Sequence, residues 1–575
     1  MQLQWLREYR RGWKILKQHY HTPYRMMLVL GLVVVAVTLV GVYLPYLMKQ
    51  IIDLSQLDRV ELSFNQLWSW QNLYLLAIAY ALGWFLSNFL QHLTGLFSGL
   101  FMVNIESSLV YKGLENYFHL KYSEQKKIDT GVINTNIWRG ASAFSQLTYT
   151  TLFILIPVVF EILVMMWMLA QNISFSFSFY FLLFALLTFA LTLLVTFKSQ
   201  DVFTAMYEAK NMINQFFIER VQSHYDVQVN AAHQYELKRF AEKTEQYRHT
   251  TADSYYKIVR LMIIQIVFVG IFLLSFMILT VYLFEQQQVT TGDFVLISAY
   301  IIGLTMPILR VSQSLIHLRG DYIALQKFNA YFSLPQQQFK HDQIQAHELI
   351  YQFHHAQFQL GKYQISDFNL SIEQGKCYVI MGQTGIGKTS FIQYLIGLEQ
   401  IDAGQLLYKN VDISAEFAQE IYTEIAVVSQ TPIVYSGSLR ENLVHNSPYT
   451  YTDVELETYL VQFNLLHLLQ KNKLGLDDDI QEIYKSFSGG EKQRISIIRA
   501  LLKQPQCLIM DEPTAALNEE MGRELLNLIH AQVKTIIMIT HAHYAQQFAD
   551  ELIDFDALIA TQHAHQNQDT NISKV

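Results

Sequence analysis

The sequence is poor in charged residues. Only 16% of its 575 residues are Asp, Glu, Lys or Arg, whereas soluble domains usually carry about a quarter. The charges sum to −8 at pH 7, so the chain as a whole presents no positive field to nucleic acid. Hydrophobic residues make up 51%, and much of the chain upstream of position 335 is too hydrophobic for a soluble enzyme.

Cysteine is almost absent as well. The two cysteines, Cys377 and Cys507, lie in apolar, strand-like runs, where Cys behaves as a small buried hydrophobe. We therefore expect neither a disulfide nor a cysteine metal site. The first 25 residues are basic and aromatic without a small-residue cleavage site, so no cleavable signal peptide is expected.

Long uncharged runs fill the first 330 residues. Residues 26–48 carry no charge over 23 positions, and a helix of that length rises about 35 Å, enough for a bilayer core of about 30 Å. Buried helices of a soluble protein would need charged faces at helical spacing, and these runs lack them. The sequence predicts six spans, at residues 26–48, 73–103, 148–170, 174–197, 261–284 and 294–309.

Basic residues indicate the orientation of the spans. Six Lys and Arg side chains precede the first span against Glu8, which predicts a cytoplasmic N-terminus. Two long connections, residues 104–147 and 198–260, are also rich in Lys and Arg. We expect both to project into the cytoplasm as continuations of the span helices.

The composition changes after Pro335, and strand-like runs then alternate with helical ones, an α/β pattern. This change sets the predicted domains. They are a transmembrane domain at 1–335, a polar linker at 336–345, an ATPase domain at 346–560 and a disordered tail at 561–575.

A glycine-rich loop in the α/β part is typical of phosphate binding. The stretch "MGQTGIGKTS" follows the apolar strand "KCYVI" and precedes a helical run, the context that a P-loop requires. Its backbone N–H groups and the helix N-terminus can hold phosphates. Lys388 can reach the β- and γ-phosphates, and Thr389 can ligate Mg²⁺.

Two later strands end in residues suited to ATP hydrolysis. "CLIMDEPT" ends in Asp511, a candidate Mg²⁺ ligand, and Glu512, a candidate base for the attacking water. "TIIMITH" ends in His541, which can contact the γ-phosphate. Adjacent carboxylates or a lone histidine are often only solvated, but the upstream P-loop favours the catalytic interpretation.

The stretch "SFSGGEKQRISIIRALL" provides a second anion-binding turn in the same domain, at Ser488, Gly489 and Gly490. One nucleotide cannot use both the loop and this turn within one protomer. Two domains arranged head to tail, each loop facing the other's serine-glycine turn, resolve the difficulty.

Together these motifs resemble those of the ATP-binding cassette (ABC) transporters, specifically the exporter half-transporters. The resemblance covers nearly the whole chain. It implies a six-span α-helical transmembrane domain with long cytoplasmic helical extensions, followed by an α/β P-loop ATPase domain. It also implies a multi-pass protein of the bacterial inner membrane that acts as a homodimer and couples hydrolysis of ATP, with Mg²⁺, to transport. Because the chain has one ATPase domain it must pair, and a heterodimeric partner is the alternative.

The resemblance assigns roles to individual residues. Glu512, His541 and Gln430 are the expected catalytic residues, with Gln430 in "VVSQTP" also coupling the motor to the membrane domain. Thr389, Gln430 and Asp511 are the expected Mg²⁺ ligands. The expected nucleotide-binding residues are Gly382, Gln383, Thr384, Gly385, Ile386, Gly387, Lys388, Thr389, Ser390, Tyr363, Ser488, Gly489, Gly490 and Glu491.

This sequence departs from the family pattern at several of these positions. Phe487 stands where leucine is usual, and Glu491 where glutamine is commoner. Asn518 replaces an expected aspartate, which bears on coupling between the two ATP sites. The usual adenine-stacking aromatic falls near Leu360, so Tyr363 is the nearest substitute.

Cargo is less clearly encoded. Glu161 is an ionisable residue within a predicted span, which suggests a function or a neutralised structural group. Gln265, Thr305, Met306 and Pro307 are further candidates to line a cavity, although helix packing explains them nearly as well.

The chain resembles two exporter subgroups. "TGVINTNIWRGASAF" and "IPVVFE" are similar to exporters of glutathione conjugates and of the mitochondrial iron–sulfur pathway, while "TTGDFVLISAYIIGLTMP" also resembles bacterial microcin exporters. The fifth and sixth spans carry no cation before Arg310, and an anionic cargo without a partner charge is costly in low dielectric. We therefore favour export of a small antibacterial peptide of the microcin or lasso type, which also gives self-immunity, over export of glutathione or metal conjugates.

Overall fold

The computed structural model describes residues 2–56, 73–337, 339–340, 344, 346–414, 417–418, 420–515 and 517–561. The predicted disordered tail lies outside the described residues from position 562 onward, as does part of the predicted linker. The chain forms two compact units. The first holds residues up to His119 and Ile128–Leu334, and the second holds Leu120–Lys127 with the chain from Pro335 onward.

Long helices build the first unit. The short helix α4 belongs to the second unit. A π-helical turn, Thr150–Leu155, joins α5 to α6. The helices are α1 Gln2–Lys17, α2 Pro23–Ser55, α3 Leu73–His119, α4 Tyr122–Lys127, α5 Thr130–Tyr149, α6 Ile156–Asn172, α7 Phe175–Gln222, α8 His224–Val229, α9 His233–Glu285 and α10 Thr291–Tyr331.

Among the described residues, five helices are long and apolar enough to cross a membrane. They contain the first five predicted spans: α2, α3, the joined helix Gly131–Asn172, α7 and α9. The sixth predicted span lies within α10, whose apolar part, Thr291–Thr305, is shorter. In α10 the kink-prone Pro307 lies inside the helix and the charged Arg310 follows it.

The helices α3, α7 and α9 contain 47, 48 and 53 residues. At 1.5 Å per residue each rises about 70 to 80 Å, more than twice the thickness of a bilayer core. The prediction that span helices continue into the polar segments is therefore confirmed, because α3, α7 and α9 each run without a break from a predicted span into one of those segments.

Several polar side chains buried inside the first unit are paired across helices. Lys49 on α2 lies 2.6 Å from Asp293 on α10 and donates to Asn172 at 3.3 Å. Gln265 on α9, only 1% exposed, donates to Thr192 on α7 at 2.8 Å. Such pairing is required in a bilayer core, where no water is available to bond polar groups.

Among the described residues from Pro335 onward, three sheets and seven α-helices form most of the second unit. The strands are β1 Phe339–Lys340, β2 Leu349–Leu360, β3 Tyr363–Glu373, β4 Cys377–Met381, β5 Ala403–Tyr408, β6 Val411–Asp412, β7 Phe417–Ala418, β8 Ile425–Val428, β9 Cys507–Asp511, β10 Ile536–Ile539 and β11 Glu551–Asp554. The helices are α11 Lys388–Leu395, α12 Ile421–Glu424, α13 Leu439–Leu443, α14 Asp453–Gln462, α15 His467–Asn472, α16 Gly489–Leu501 and α17 Glu519–Gln532.

The central sheet is parallel, in the order β11-β4-β10-β9-β8. A second sheet, β3-β2-β5-β6, is antiparallel, and β1 pairs with β7. Helices cover both faces of a parallel sheet, so its strands read as continuous apolar runs. Cys377 and Cys507 lie in two of these strands, buried and free as expected.

Candidate nucleotide-binding site

The phosphate loop runs from the end of β4 to the start of α11. Its three glycines have positive φ values: +153° at Gly382, +85° at Gly385 and +107° at Gly387. A Cβ atom at Gly387 would lie 2.7 Å from the backbone N of Gly361 and from the carbonyl carbon of Leu360. The turn between β2 and β3 therefore packs directly on the loop, and position 387 has room only for glycine.

Lys388 folds back over this loop. Its Nζ donates to the carbonyl oxygens of Gly382 at 2.6 Å and Gln383 at 3.0 Å. Burial lowers the pKa of Lys388, while the nearby carboxylates of Glu512, Asp556 and Asp511 oppose that shift. The ammonium is thus held over the loop, where it can meet a phosphate.

Asp511 and Thr389 come together at the end of β9. The hydroxyl of Thr389 donates to Asp511 Oδ2 at 2.8 Å. Asp511 is buried, and burial raises the pKa of its carboxyl, while the bond from Thr389 opposes the shift. A hydroxyl and a carboxylate side by side are oxygen donors that fit Mg²⁺, which is bound in such sites by one or two protein groups together with phosphates.

Glu512 and His541 lie across the same sheet edge. Glu512 Oε1 is 3.5 Å from His541 Nε2, and the same nitrogen is 3.1 Å from Lys388 Nζ. The hydroxyl of Thr384 lies 3.5 Å from it. The tertiary structure therefore places two predicted catalytic residues against the predicted phosphate loop.

The other residues predicted around the loop have different environments. Ile386 is buried in the hydrophobic core, while Ser390 is half-buried one residue after Thr389. Gln430 is exposed, two residues beyond β8 at the carboxyl edge of the central sheet. This edge also carries Asp511, because β8 and β9 are parallel neighbours.

The adenine-stacking position differs from the family pattern. Leu360 is 1% exposed, so its side chain is unavailable to a base. Tyr363 begins β3, and the Lys362 ammonium lies 5.3 Å from its ring centroid. A Cβ at Gly361 would approach the Gly385 carbonyl oxygen to 3.1 Å, so the turn that carries Lys362 and Tyr363 adjoins the loop.

The second anion-binding turn forms the start of α16. Ser488 is its N-cap in a capping box. The serine hydroxyl accepts from the Glu491 N–H at 3.2 Å, and Glu491 Oε2 accepts from the Ser488 N–H at 2.6 Å. Gly489 and Gly490 follow at the solvent-facing helix end. Phe487 is buried in the core, which explains how a phenylalanine substitutes for leucine.

The departure at Asn518 has a local explanation. Asn518 is the N-cap of α17, and its side chain accepts from the Met521 N–H at 2.9 Å. Asn and Asp are nearly equivalent as N-caps, so the helix start is preserved with either residue. Ala516, in the same loop, lies outside the described residues.

Sequence reasoning missed three polar groups at this site. Asp556 accepts from the Gln383 N–H at 3.1 Å, His467 Nε2 lies 2.8 Å from Glu491 Oε1, and Gln493 donates to the Glu512 carbonyl oxygen at 2.7 Å. The separations along the chain are 173, 24 and 19 residues, too long for a local motif to reveal.

The donors fit a magnesium nucleotide. Backbone N–H groups in a left-handed glycine loop and the Lys388 ammonium would hold the phosphates. Thr389 and Asp511 would hold the metal, which supplies positive charge to the phosphate oxygens.

Two family models match the chain. Residues 27–308 match the model described as "ABC transporter transmembrane region". Residues 365–515 match the model described as "ABC transporter". The first match falls in the first structural unit apart from Leu120–Lys127, and the second match falls in the second unit.

Curated relatives cover part of the chain. It is 35% identical over 179 residues to the glutathione/L-cysteine transport system ATP-binding/permease protein CydC of Haemophilus influenzae. The aligned region spans 31% of each protein. It is 34% identical over 189 residues to the probable microcin-H47 secretion/processing ATP-binding protein MchF of Escherichia coli, 33% of this chain and 27% of that protein. The chain thus spans about a third of the length of these relatives.

A solved structure matches over a larger share of the chain than these relatives do. The "Structure of a bacterial Atm1-family ABC exporter with ATP bound" aligns with a TM-score of 0.79 at 20% identity, covering 95% of this chain and 99% of that one. At that identity the likeness shows the fold.

Proposed function

The chain belongs to the ABC transporter family, with the membrane region ahead of the ATPase domain in one polypeptide, and from this we propose that it is an ATP-driven exporter that works as a homodimer. The observation that carries the proposal is the cluster of Lys388, Asp511, Glu512 and His541 around one glycine loop. An importer is less consistent with the fusion of the membrane region to the ATPase domain, because importers usually carry motor and spans on separate chains.

The chemistry follows from the side chains at the loop. Loop N–H groups and Lys388 bind the β- and γ-phosphates. Glu512 removes a proton from water as its oxygen attacks the γ-phosphorus, and the bond to the bridging oxygen breaks to leave ADP. His541, 3.5 Å from Glu512 and 3.1 Å from Lys388, orients the groups around the transferred phosphoryl.

Two copies are proposed because one protomer contains one loop and one serine-glycine turn. In a head-to-tail pair, Ser488 and Gly490 of one copy meet the nucleotide held by the other copy's loop. ATP then closes the motors and hydrolysis releases them, which drives alternating access in the spans. We place the protein in the bacterial inner membrane with the ATPase domain in the cytoplasm.

Transport in sealed inside-out vesicles would test the export proposal. The wild type should concentrate its cargo inside such vesicles only when ATP is present outside. ATP hydrolysis without any solute movement would instead favour an ATPase anchored by its spans.

A short segment links the ATPase domain to the membrane helices along the chain. The helix α4 begins three residues after α3 ends, and its Lys126 donates to Gln393 Oε1 and Glu399 Oε1, both at 2.8 Å. Gln393 lies on α11, which begins at the P-loop lysine. We propose that α4 passes nucleotide-dependent movement of α11 to α3 and α5.

Replacing Lys126 by Ala is expected to weaken coupling. Exposed ion pairs contribute about 1 kcal/mol or less to stability, so basal ATPase activity and melting temperature should change little. Cargo stimulation of ATPase activity should fall about 2- to 30-fold, the effect of losing 0.5–2 kcal/mol of coupling. The measurement is ATPase rate with and without cargo in lipid nanodiscs.

Lys127→Ala is the matched control. Lys127 bonds only within α4, to Glu124 at 2.8 Å among the described residues, so its loss should leave cargo stimulation unchanged. Equal stimulation in both variants would contradict the coupling role of Lys126.

The proposed cargo is a compact antibacterial peptide of the microcin or lasso type, whose export also gives self-immunity. Two cavities among the membrane helices support this, one of about 430 Å³ between α2, α3 and α6 and one of about 160 Å³ between α7, α9 and α10. No described residue lining either cavity is charged. Such walls suit apolar surface and disfavour an anion.

Of the cavity candidates predicted from sequence, Gln265 and Thr305 line the smaller cavity. Pro307 is buried and follows Thr305 by two residues on α10, and Glu161 is half-buried on α6. The side chain of Met306 lies outside the described part of the structure. The buried Gln265–Thr192 bond is the polar feature with which a peptide amide could compete.

Glutathione conjugates are the second candidate cargo. The similarity to the Haemophilus influenzae glutathione/L-cysteine protein supports them, whereas similarity to the probable microcin-H47 secretion protein supports a peptide. The carboxylates of a glutathione conjugate would need a cationic partner in the cavity.

ATPase stimulation in nanodiscs distinguishes the two cargoes. A panel of lasso-type peptides is compared with oxidised glutathione and its metal conjugates. Stimulation by a peptide alone is expected, and stimulation by the glutathione compounds alone would reject the peptide proposal. In cells, a deletion that affects neither peptide secretion nor self-immunity would reject it too.

A further inference from the structure

The side chain of Gln493 joins the helix α16 to the end of the catalytic strand. Gln493 is 3% exposed, and its Nε2 donates to the backbone carbonyl oxygen of Glu512 at 2.7 Å. The same carbonyl oxygen also accepts from the Ala515 N–H, at 3.3 Å. The shorter bond from the buried Gln493 amide fixes the position of the Glu512 peptide group, because a buried donor is costly to leave unpaired.

Glu512 needs such support, because its backbone is left-handed. Its φ is +49°, a conformation that is unfavourable for a residue with a side chain. Its N–H donates to the Ile539 carbonyl oxygen at 2.8 Å. The Glu512 backbone is therefore bonded on one side to β10 and on the other to α16.

This backbone conformation serves the chemistry. Successive side chains of a strand point to opposite faces, yet Asp511 bonds Thr389 while Glu512 lies beside His541 in the same site. The left-handed turn at Glu512 lets neighbouring carboxylates face one nucleotide. Whatever holds that turn also holds the catalytic carboxylate in place.

The same helix carries the second anion-binding turn. Ser488 is the N-cap of α16, and Gln493 lies five residues further, about 7.5 Å along the axis. The helix α16 has 13 residues, seven of which are buried, and we treat it as a rigid element. Its first turn and its Gln493 side chain must therefore shift together.

We propose that Gln493 is a positioning residue that holds Glu512 in its catalytic conformation and makes this conformation depend on the helix that receives the partner copy's nucleotide at Ser488. This proposal rests on the proposed ATPase function and deepens it. Nucleotide held in one site then orders the base of the other site through one helix and one hydrogen bond.

The test replaces Gln493 by Met, which keeps the length of the side chain and removes the donor. ATPase kcat should fall about 10- to 100-fold, the cost of misplacing a catalytic group by about 1 Å. KM for ATP should stay close to wild type, because Lys388 and Thr389 are untouched. The Hill coefficient for ATP should fall towards 1.

Gln504→Met is the matched control. Gln504 follows the same helix, and its amide donates to the hydroxyl of Tyr451 at 3.3 Å, away from the loop. This variant should keep the wild-type kcat. Melting temperatures of both variants show whether the domain has folded.

A second measurement separates positioning from general destabilisation. In a Glu512→Gln background the base is already absent, so adding Gln493→Met should leave the residual ATPase rate unchanged. An equal fold loss in both backgrounds, or a wild-type kcat for Gln493→Met alone, would overturn the inference. An inactive wild type would overturn the proposed function instead.

Discussion

Replacing Glu512 by Gln is expected to lower the ATPase rate about 100- to 10,000-fold, the range that a positioned general base contributes. The amide keeps the size of the side chain but cannot accept the proton of the attacking water. Lys388 keeps its contact with the loop and Thr389 keeps its bond to Asp511, so ATP should still bind. Unhydrolysed ATP should hold two copies in a closed dimer.

Two measurements check this prediction. ATPase rate is followed in nanodiscs, and nucleotide retention is followed on the purified dimer after removal of free ATP. Glu519→Gln is the matched control, because Glu519 lies exposed in the first turn of α17 and pairs with Arg523 at 2.6 Å. Wild-type turnover in Glu512→Gln would refute the assignment of the base.

Replacing Gly387 by Ala should nearly abolish ATP binding. The φ of +107° is unfavourable for alanine, and the added Cβ would lie 2.7 Å from two backbone atoms of the β2–β3 turn. Backbone atoms cannot rotate away as a flexible side chain can. The loop must shift, and a distortion of about 1.4 kcal/mol already lowers affinity tenfold.

Gly375→Ala separates the steric effect from the backbone conformation. Gly375 has a φ of +84°, but its added Cβ would meet no atom within 4 Å. This variant should lose about 1–2 kcal/mol of stability and keep wild-type ATP affinity. Titration of both variants with a fluorescent ATP analogue is the measurement. Equal affinities would show that the contact with Gly361 does not limit the loop.

The spans and the ATPase sheet could be predicted because their signals are contiguous in the chain. Residues 26–48 need only length and lack of charge to indicate a membrane helix. The strand "KCYVI" needs only its apolar run and the glycines that follow it. The span within α10 was harder to predict from sequence, because its apolar part is short and Arg310 follows it.

The environment of the candidate site was less accessible from sequence. The order strand, loop and helix predicts that Lys388 and Asp511 serve one nucleotide, but it does not predict the bond from Asp556 to the loop. Likewise, "SGGEKQR" predicts an anion-binding turn without indicating that Gln493 supports Glu512. The bond between His467 and Glu491 also depends on how α15 and α16 pack.

By itself the sequence determined the membrane helices, the α/β ATPase domain and the types of residue available for phosphate and metal. Each of these depends on composition or on spacing within one or two elements. Only the tertiary structure decided which groups meet: His541 beside Glu512, Gln493 on its backbone, and Lys126 of α4 on α11. The physical reason is that hydrogen bonds and packing join residues that are distant along the chain, and their geometry exists only after the sheet and helices have assembled.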